Sequence, residues 1–262
     1  MAMMSLLFSK WMYMTLELKS FFQDMGNGKL SKEVNDIHGK HFPDISDVKV
    51  KFQKEPKGRC LNAFNVAVVG EAGAGKSCFI NAFRNVKRGD KSYAEEDVVE
   101  TTKEPTPYQH PHYRNLILWD LPGVGTKSFP KEKYKERVLM YTDYDFFLIL
   151  SSQRVTENDQ WLTQTLNKEG KSFFFIRTQV DIDVIKRNDL HGDEVVEKVR
   201  MDCLQKLSLN DQNNGNHLLF LINNKNTDVY DFEKLELSLV KKMAENLSFM
   251  CYTCSSENIL SE

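Results

Sequence analysis

The stretch Phe64-Asn65-Val66-Ala67-Val68-Val69-Gly70-Glu71-Ala72-Gly73-Ala74-Gly75-Lys76-Ser77 decides the fold. Its first half is a nearly unbroken apolar run of the kind that forms a strand buried on both faces. Its second half has the form G-x-x-x-x-G-K-[ST], and the segment that follows, Cys78 to Asn85, reads as a helix. Strand, glycine-rich turn and helix in that order is the context in which this pattern cradles phosphate. The glycines let the chain curl so that successive N–H groups converge, and the helix N-terminus adds partial positive charge at the same place. Gly70, Glu71, Ala72, Gly73, Ala74 and Gly75 are therefore expected to line a nucleotide's phosphates. Lys76 would reach the β- and γ-phosphates, and Ser77 would offer its hydroxyl to Mg²⁺. A Gly/Ala-rich turn without a ligand is the alternative, and the spacing disfavours it.

Outward from this stretch the alternation continues, with short apolar runs separated by amphipathic segments, as in a parallel α/β sheet. Strands are expected at Phe64 to Val69, Asn115 to Trp119, Phe146 to Leu150, Ser172 to Ile176 and Leu218 to Ile222. Tyr108 to Tyr113 adds a candidate edge strand, where Pro111 would be tolerated. Helices are expected at Cys78 to Asn85, Lys131 to Tyr141, Asn158 to Lys168, Glu194 to Leu207 and Phe232 to Ala244. The fold class is thus α/β, with about six mostly parallel strands flanked by helices. Residues 61–244 form the main domain, 1–60 an N-terminal extension and connector, and 245–262 a tail that reads as frayed.

Within the first 22 residues, Leu7, Trp11, Met14 and Leu18 fall at helical spacing. Lys10, Glu17 and Lys19 interrupt the apolar run, so it is neither a spanning helix nor a good signal peptide. An amphipathic helix packing on the main domain is preferred, with peripheral contact to a membrane as the alternative. Ala2 excludes N-myristoylation. Lys+Arg 35 against Asp+Glu 37 leaves no net field to attract nucleic acid. Five scattered cysteines do not form a secreted disulfide framework, so a reducing, cytoplasmic location is expected.

Further motifs follow in order. Asp120-Leu121-Pro122-Gly123 closes the Asn115 to Trp119 strand. There Asp120 suits Mg²⁺, acting through water, and the Gly123 N–H suits the γ-phosphate. Taken alone, an Asp-containing turn explains it equally well. Between this motif and the phosphate loop lies Val98-Val99-Glu100-Thr101-Thr102, behind the acidic run Glu95, Glu96, Asp97. A threonine at this switch position binds Mg²⁺ and γ-phosphate only while the triphosphate is present, although a solvated polar loop remains an open reading. Thr178-Gln179-Val180-Asp181 follows the Ser172 to Ile176 strand, and Asp181 stands where a carboxylate would read guanine. Gln179 keeps an aliphatic stem over the base but carries no charge, which predicts weaker nucleotide affinity. Asn223-Asn224-Lys225 would cup the base from the other side. His110 and His112 lack partners at metal-ligand spacing and read as strand residues. Cys251 and Cys254 read as free thiols, and Cys78 as packed on the sheet.

The segments GEAGAGKSCFINAFRNV, VVETTKEPTPYQHPHYRNLILWDLPGVGT, FFFIRTQVDID and LFLINNKNTDVYDF together resemble the immunity-related, interferon-inducible GTPases over about Leu61 to Ala244. Lys76 places the chain beside the GKS branch of that family. The resemblance implies a Ras-like P-loop GTPase fold and hydrolysis of GTP to GDP with Mg²⁺ in cell-autonomous innate immunity. It also implies homo- or hetero-association through the G domain. It makes Thr102 the switch threonine and Glu100 the carboxylate that helps orient the attacking water when two G domains meet. Val124, just after Gly123, cannot hydrogen-bond that water, which fits the import; Glu100 as one more solvated acid stays open. Only 18 residues follow Ala244, where the family carries a long helical segment, so the sequence is read as lacking a C-terminal helical domain. A regulatory nucleotide-binding module with little turnover, associating with full-length relatives, is the alternative function.

Overall fold

The computed structural model describes residues 63–96, 102, 104–187, 190–207 and 219–257, with side chains through 246. The N-terminal 62 residues, Glu100 and Thr101 lie outside the described residues, as do the side chains of Cys251 and Cys254.

The strands are β1 (Phe64–Gly70), β2 (Thr106–Gln109), β3 (Leu116–Asp120), β4 (Phe146–Ser151), β5 (Phe173–Arg177) and β6 (Leu219–Leu221). They form one sheet in the order β2-β3-β1-β4-β5-β6. All neighbours are parallel except the β2–β3 edge pair. β1 shows why its apolar run is nearly continuous, because successive side chains point to opposite faces and both are covered. Val66 and Val68 join Phe79, Ile80, Leu235 and Leu239 on one face. Ala67 and Val69 join Tyr134, Leu162 and Leu166 on the other. Asn65, the polar exception, is satisfied inside the core: its Oδ1 accepts from Trp119 Nε1 at 3.1 Å and its Nδ2 donates to Ala63 O at 2.9 Å.

The helices are α1 (Lys76–Phe83), α2 (Lys131–Tyr134), α3 (Glu157–Lys168), α4 (Val180–Lys186), α5 (Gly192–Leu207) and α6 (Phe232–Glu257). α3 opens on a capping box in which the Thr156 hydroxyl accepts from the Asp159 N–H, and the Asp159 carboxylate from the Thr156 N–H.

Several sequence expectations change. The edge strand is Thr106–Gln109, containing Pro107, and not Tyr108 to Tyr113. It stops because the His110 ring Nδ1 accepts from the N–H groups of His112 (3.2 Å) and Tyr113 (3.1 Å), which turns the chain. The helix expected through Tyr141 is one α-turn followed by a π-helical turn, Lys135–Leu139. α4 was not legible, since seven residues are too few to establish a helical period. The frayed tail is also corrected, as α6 runs past Ala244 to Glu257. Its 26 residues contain neither Gly nor Pro, so nothing in the chain interrupts propagation.

Candidate nucleotide site

The candidate residues gather at the carboxyl ends of β1, β3, β5 and β6, where open α/β sheets take their ligands. Gly70, Gly73 and Gly75 have φ of +149°, +79° and +83°, and the loop they shape delivers Lys76 to the start of α1. The Lys76 ammonium lies over this loop and donates to Glu71 O at 2.9 Å and Gly70 O at 3.3 Å. Gly123 approaches closely from the side: a Cβ there would stand 2.8 Å from Ala72 N. The Val124 N–H donates to Gly70 O at 3.2 Å. The Val124 side chain is buried in the core. Glu71 turns its carboxylate away from the loop to accept from Thr156 Oγ1 (2.9 Å) and Asn158 Nδ2 (2.6 Å) at the start of α3.

Ser77 and Thr102 come together on Asp120. Their hydroxyls donate to Asp120 Oδ2 at 2.6 Å and 3.2 Å. Asp120 is only 2% exposed, and its Oδ1 is buried with no hydrogen-bond partner among the described residues. Burial pushes the carboxyl above its ordinary pKa, against the Ser77 hydrogen bond, the Lys76 charge and the Thr102 hydrogen bond. A buried carboxylate with an orphaned oxygen beside two hydroxyls is an all-oxygen donor set that suits a hard cation such as Mg²⁺. Among the described residues, no three His, Cys, Asp or Glu side chains could hold a metal by themselves. Such an ion would therefore share its shell with phosphate oxygens and water.

The base side is tethered to the phosphate loop by two side chains. Thr178, fully buried, donates from Oγ1 to Ala74 O at 2.9 Å. Asn224 donates from Nδ2 to Gly75 O at 3.2 Å. Thr178 thus meets the loop from behind. Gln179 caps α4 in a left-handed conformation (φ +58°), uncommon for a side-chain-bearing residue, and Asp181 follows in the first turn. Asn223 Oδ1 accepts from the Lys225 N–H at 2.8 Å, and the Lys225 side chain is exposed.

Three expectations outside the motifs are settled or changed. His110 is a neutral core residue: burial lowers its pKa to about 4, and Nε2 bonds Phe83 O at 3.2 Å. Cys78 is half-buried and absent from the sheet-facing clusters; it meets Glu96 and Asn224. Burial and the Glu96 charge push its thiol up to about 11, so it is a poor nucleophile at neutral pH. Glu96, read from sequence as part of an acidic run, is exposed and also accepts from Asn81 Nδ2 and Tyr93 OH, each at 2.7 Å. Nothing in the sequence marks it, because Asn81 lies fifteen residues away on α1.

This sheet order, with a phosphate loop after β1 and D-x-x-G at the end of β3, defines a Ras-like P-loop GTPase fold. The chain belongs to the interferon-inducible GTPase (IIGP) family, whose sequence model matches residues 41–256. It is 36% identical over 195 residues to interferon-gamma-inducible GTPase 10 of Mus musculus, covering 72% of this chain and 46% of that one. It is 37% identical over 178 residues to interferon-inducible GTPase 5 of Rattus norvegicus, covering 65% of this chain and 37% of that one. The chain thus spans less than half the length of these relatives. Among solved structures, a probable GTP-binding protein engB aligns at 14% identity with a TM-score of 0.47, over 69% of this chain and 99% of its own.

Proposed function

We propose that this chain binds GTP with Mg²⁺ and hydrolyses it to GDP and phosphate in innate immune defence, its turnover promoted by association between G domains. The observation that carries the reading is the meeting of Ser77, Thr102 and Asp120 beside the phosphate loop. It brings residues from three separated segments to one point. Ser77, Thr102 and Asp120 would hold the Mg²⁺, Asp120 through water, and the ion would neutralise charge on the β- and γ-phosphate oxygens. Gly70, Glu71, Ala72, Gly73, Ala74 and Gly75 present backbone N–H groups to the phosphates, and Lys76 places its ammonium on the β- and γ-oxygens. The Gly123 N–H donates to the γ-phosphate. Asp181 accepts from the guanine N1–H and amine, with Gln179 over the base and Asn223, Asn224 and Lys225 cupping it. Thr178 acts by holding Ala74 in place.

Water must be oriented by a group other than Val124, whose side chain is buried. Glu100 is proposed for that role where two G domains meet, and hydrolysis then depends on protein concentration. Phosphate release per molecule is expected to rise with concentration in the wild type and to stay low and flat in Glu100→Ala. An unchanged rise in the variant removes Glu100 from the mechanism. A flat, background rate in the wild type, with GDP still bound, favours the second reading, a regulatory binding module, which the burial of Val124 also supports. Among the described residues no helix is long and apolar enough to cross a membrane. A cytoplasmic location, with peripheral contact to an intracellular membrane, is part of the proposal.

A further inference from the structure

Residues 93–96, which follow α1, are fastened to it beside the proposed nucleotide site. Asn81 grips it in both directions: Nδ2 donates to Ala94 O at 2.7 Å and Oδ1 accepts from the Ala94 N–H at 2.8 Å. The same Nδ2 donates to Glu96 Oε1 at 2.7 Å, and Tyr93 OH donates to that oxygen at 2.7 Å. The Cys78 thiol hydrogen-bonds Glu96 on one side and the Asn224 amide on the other, with the Lys225 charge nearby. Asn224 in turn donates to Gly75 O at 3.2 Å. Glu96 therefore stands one thiol away from the base-side loop, alongside the first turn of α1. Asn81 and Tyr93 both donate to the same oxygen, Oε1, and the residue is exposed.

A nucleotide with its phosphates on Gly70 to Ser77 and its base at Asp181 and Asn223 to Lys225 must carry its sugar across this first turn, past Cys78. A carboxylate is the usual protein group for reading ribose hydroxyls, since it accepts from both and donates to neither. We propose that Glu96 is the ribose-reading residue of this site, with Oε1 pinned by Asn81 and Tyr93 so that Oε2 accepts from the ribose hydroxyls. Tyr93 and Asn81 are positioning residues. The inference rests on the guanine-nucleotide reading above and names the sugar that the site selects.

The test is calorimetric titration of the full chain, with Mg²⁺, by GDP, 2′-deoxy-GDP and 3′-deoxy-GDP, in the wild type and in Glu96→Gln. The glutamine keeps an oxygen for Asn81 and Tyr93 but removes the charge. The wild type is expected to bind GDP roughly tenfold or more tightly than at least one deoxynucleotide, as a charge-assisted hydrogen bond implies. In Glu96→Gln that preference is expected to fall towards one, with affinity for the deoxynucleotide unchanged. Wild-type protein that binds all three equally overturns the proposal without any variant. Equal weakening of all three by Glu96→Gln also overturns it, as it assigns Glu96 a purely structural role. A wild type that binds none of them, or binds ADP as well as GDP, removes the guanine-nucleotide reading itself, which is a separate and recognisable failure.

Discussion

The two halves of the proposed nucleotide site are built differently. On the phosphate side, the loop grows out of β1, every residue of which is buried, and Asp120 ends β3, which pairs with β1 in register. On the base side, Gln179, Asp181 and Asn223 to Lys225 are half-buried or exposed and follow β5 and β6. Two hydrogen bonds, Thr178 to Ala74 and Asn224 to Gly75, relate this side to the phosphates. The loop is thus continuous with the core, whereas the base-side residues, joined to the sheet through Thr178 N–H to Ser151 O and Ile222 N–H to Arg177 O (each 2.8 Å), reach the loop through two side chains. Gln179 stands on that side, at a half-buried position.

The contrast can be broken from either half. The largest effect is expected for Gly70→Ala. A Cβ at Gly70 would lie 2.2 Å from the main-chain oxygen of Leu150, at φ +149°, and β1 and β4 cannot part without opening the core. The loss of stability should be on the order of 3 kcal/mol, read by denaturant unfolding, and nucleotide binding should go with it. A Gly70→Ala protein as stable as the wild type would show that the phosphate side is not welded to the core.

Thr178→Val is expected to cost less, about 1–3 kcal/mol, because it leaves the Ala74 carbonyl without its buried donor while preserving shape. GDP affinity should fall with it, and Thr178→Ser should restore both, as measured by thermal unfolding and titration. The smallest effect belongs to the base side. Gln179→Lys is expected to raise GDP affinity roughly threefold through a charged stem over the base, with unfolding unchanged. A shift in stability comparable to that of Thr178→Val would mean that the two halves are not separable.

Much of this architecture was legible in advance. The strands ending at Gly70, Asp120 and Arg177 were placed within a residue or so, because doubly buried parallel strands announce themselves as apolar runs. The edge strand was misplaced because β2 is exposed and carries little hydrophobic signal; its end depends on the His110 ring. Thr178 and Gln179 were legible as members of a motif but not in their geometry. That one would turn inward to the phosphate loop, and the other adopt a left-handed backbone, follows from how β5 and α4 join. Glu71 was legible only as a loop position, since its carboxylate is claimed by Thr156 and Asn158, more than eighty residues on.

By itself the sequence determined the phosphate loop, the order of the motifs and the parallel α/β class. Each of these is local: a φ of +149°, as at Gly70, needs glycine, a cation would need a hydroxyl after the lysine, and burial on two faces needs an unbroken apolar run. Only the tertiary structure decided which side chains meet. Asp120 receives Ser77 and Thr102, and Glu96 receives Asn81 and Tyr93. The physical reason is that such contacts are set by sheet register and by the docking of α1. These join positions whose separation along the chain carries no local signature.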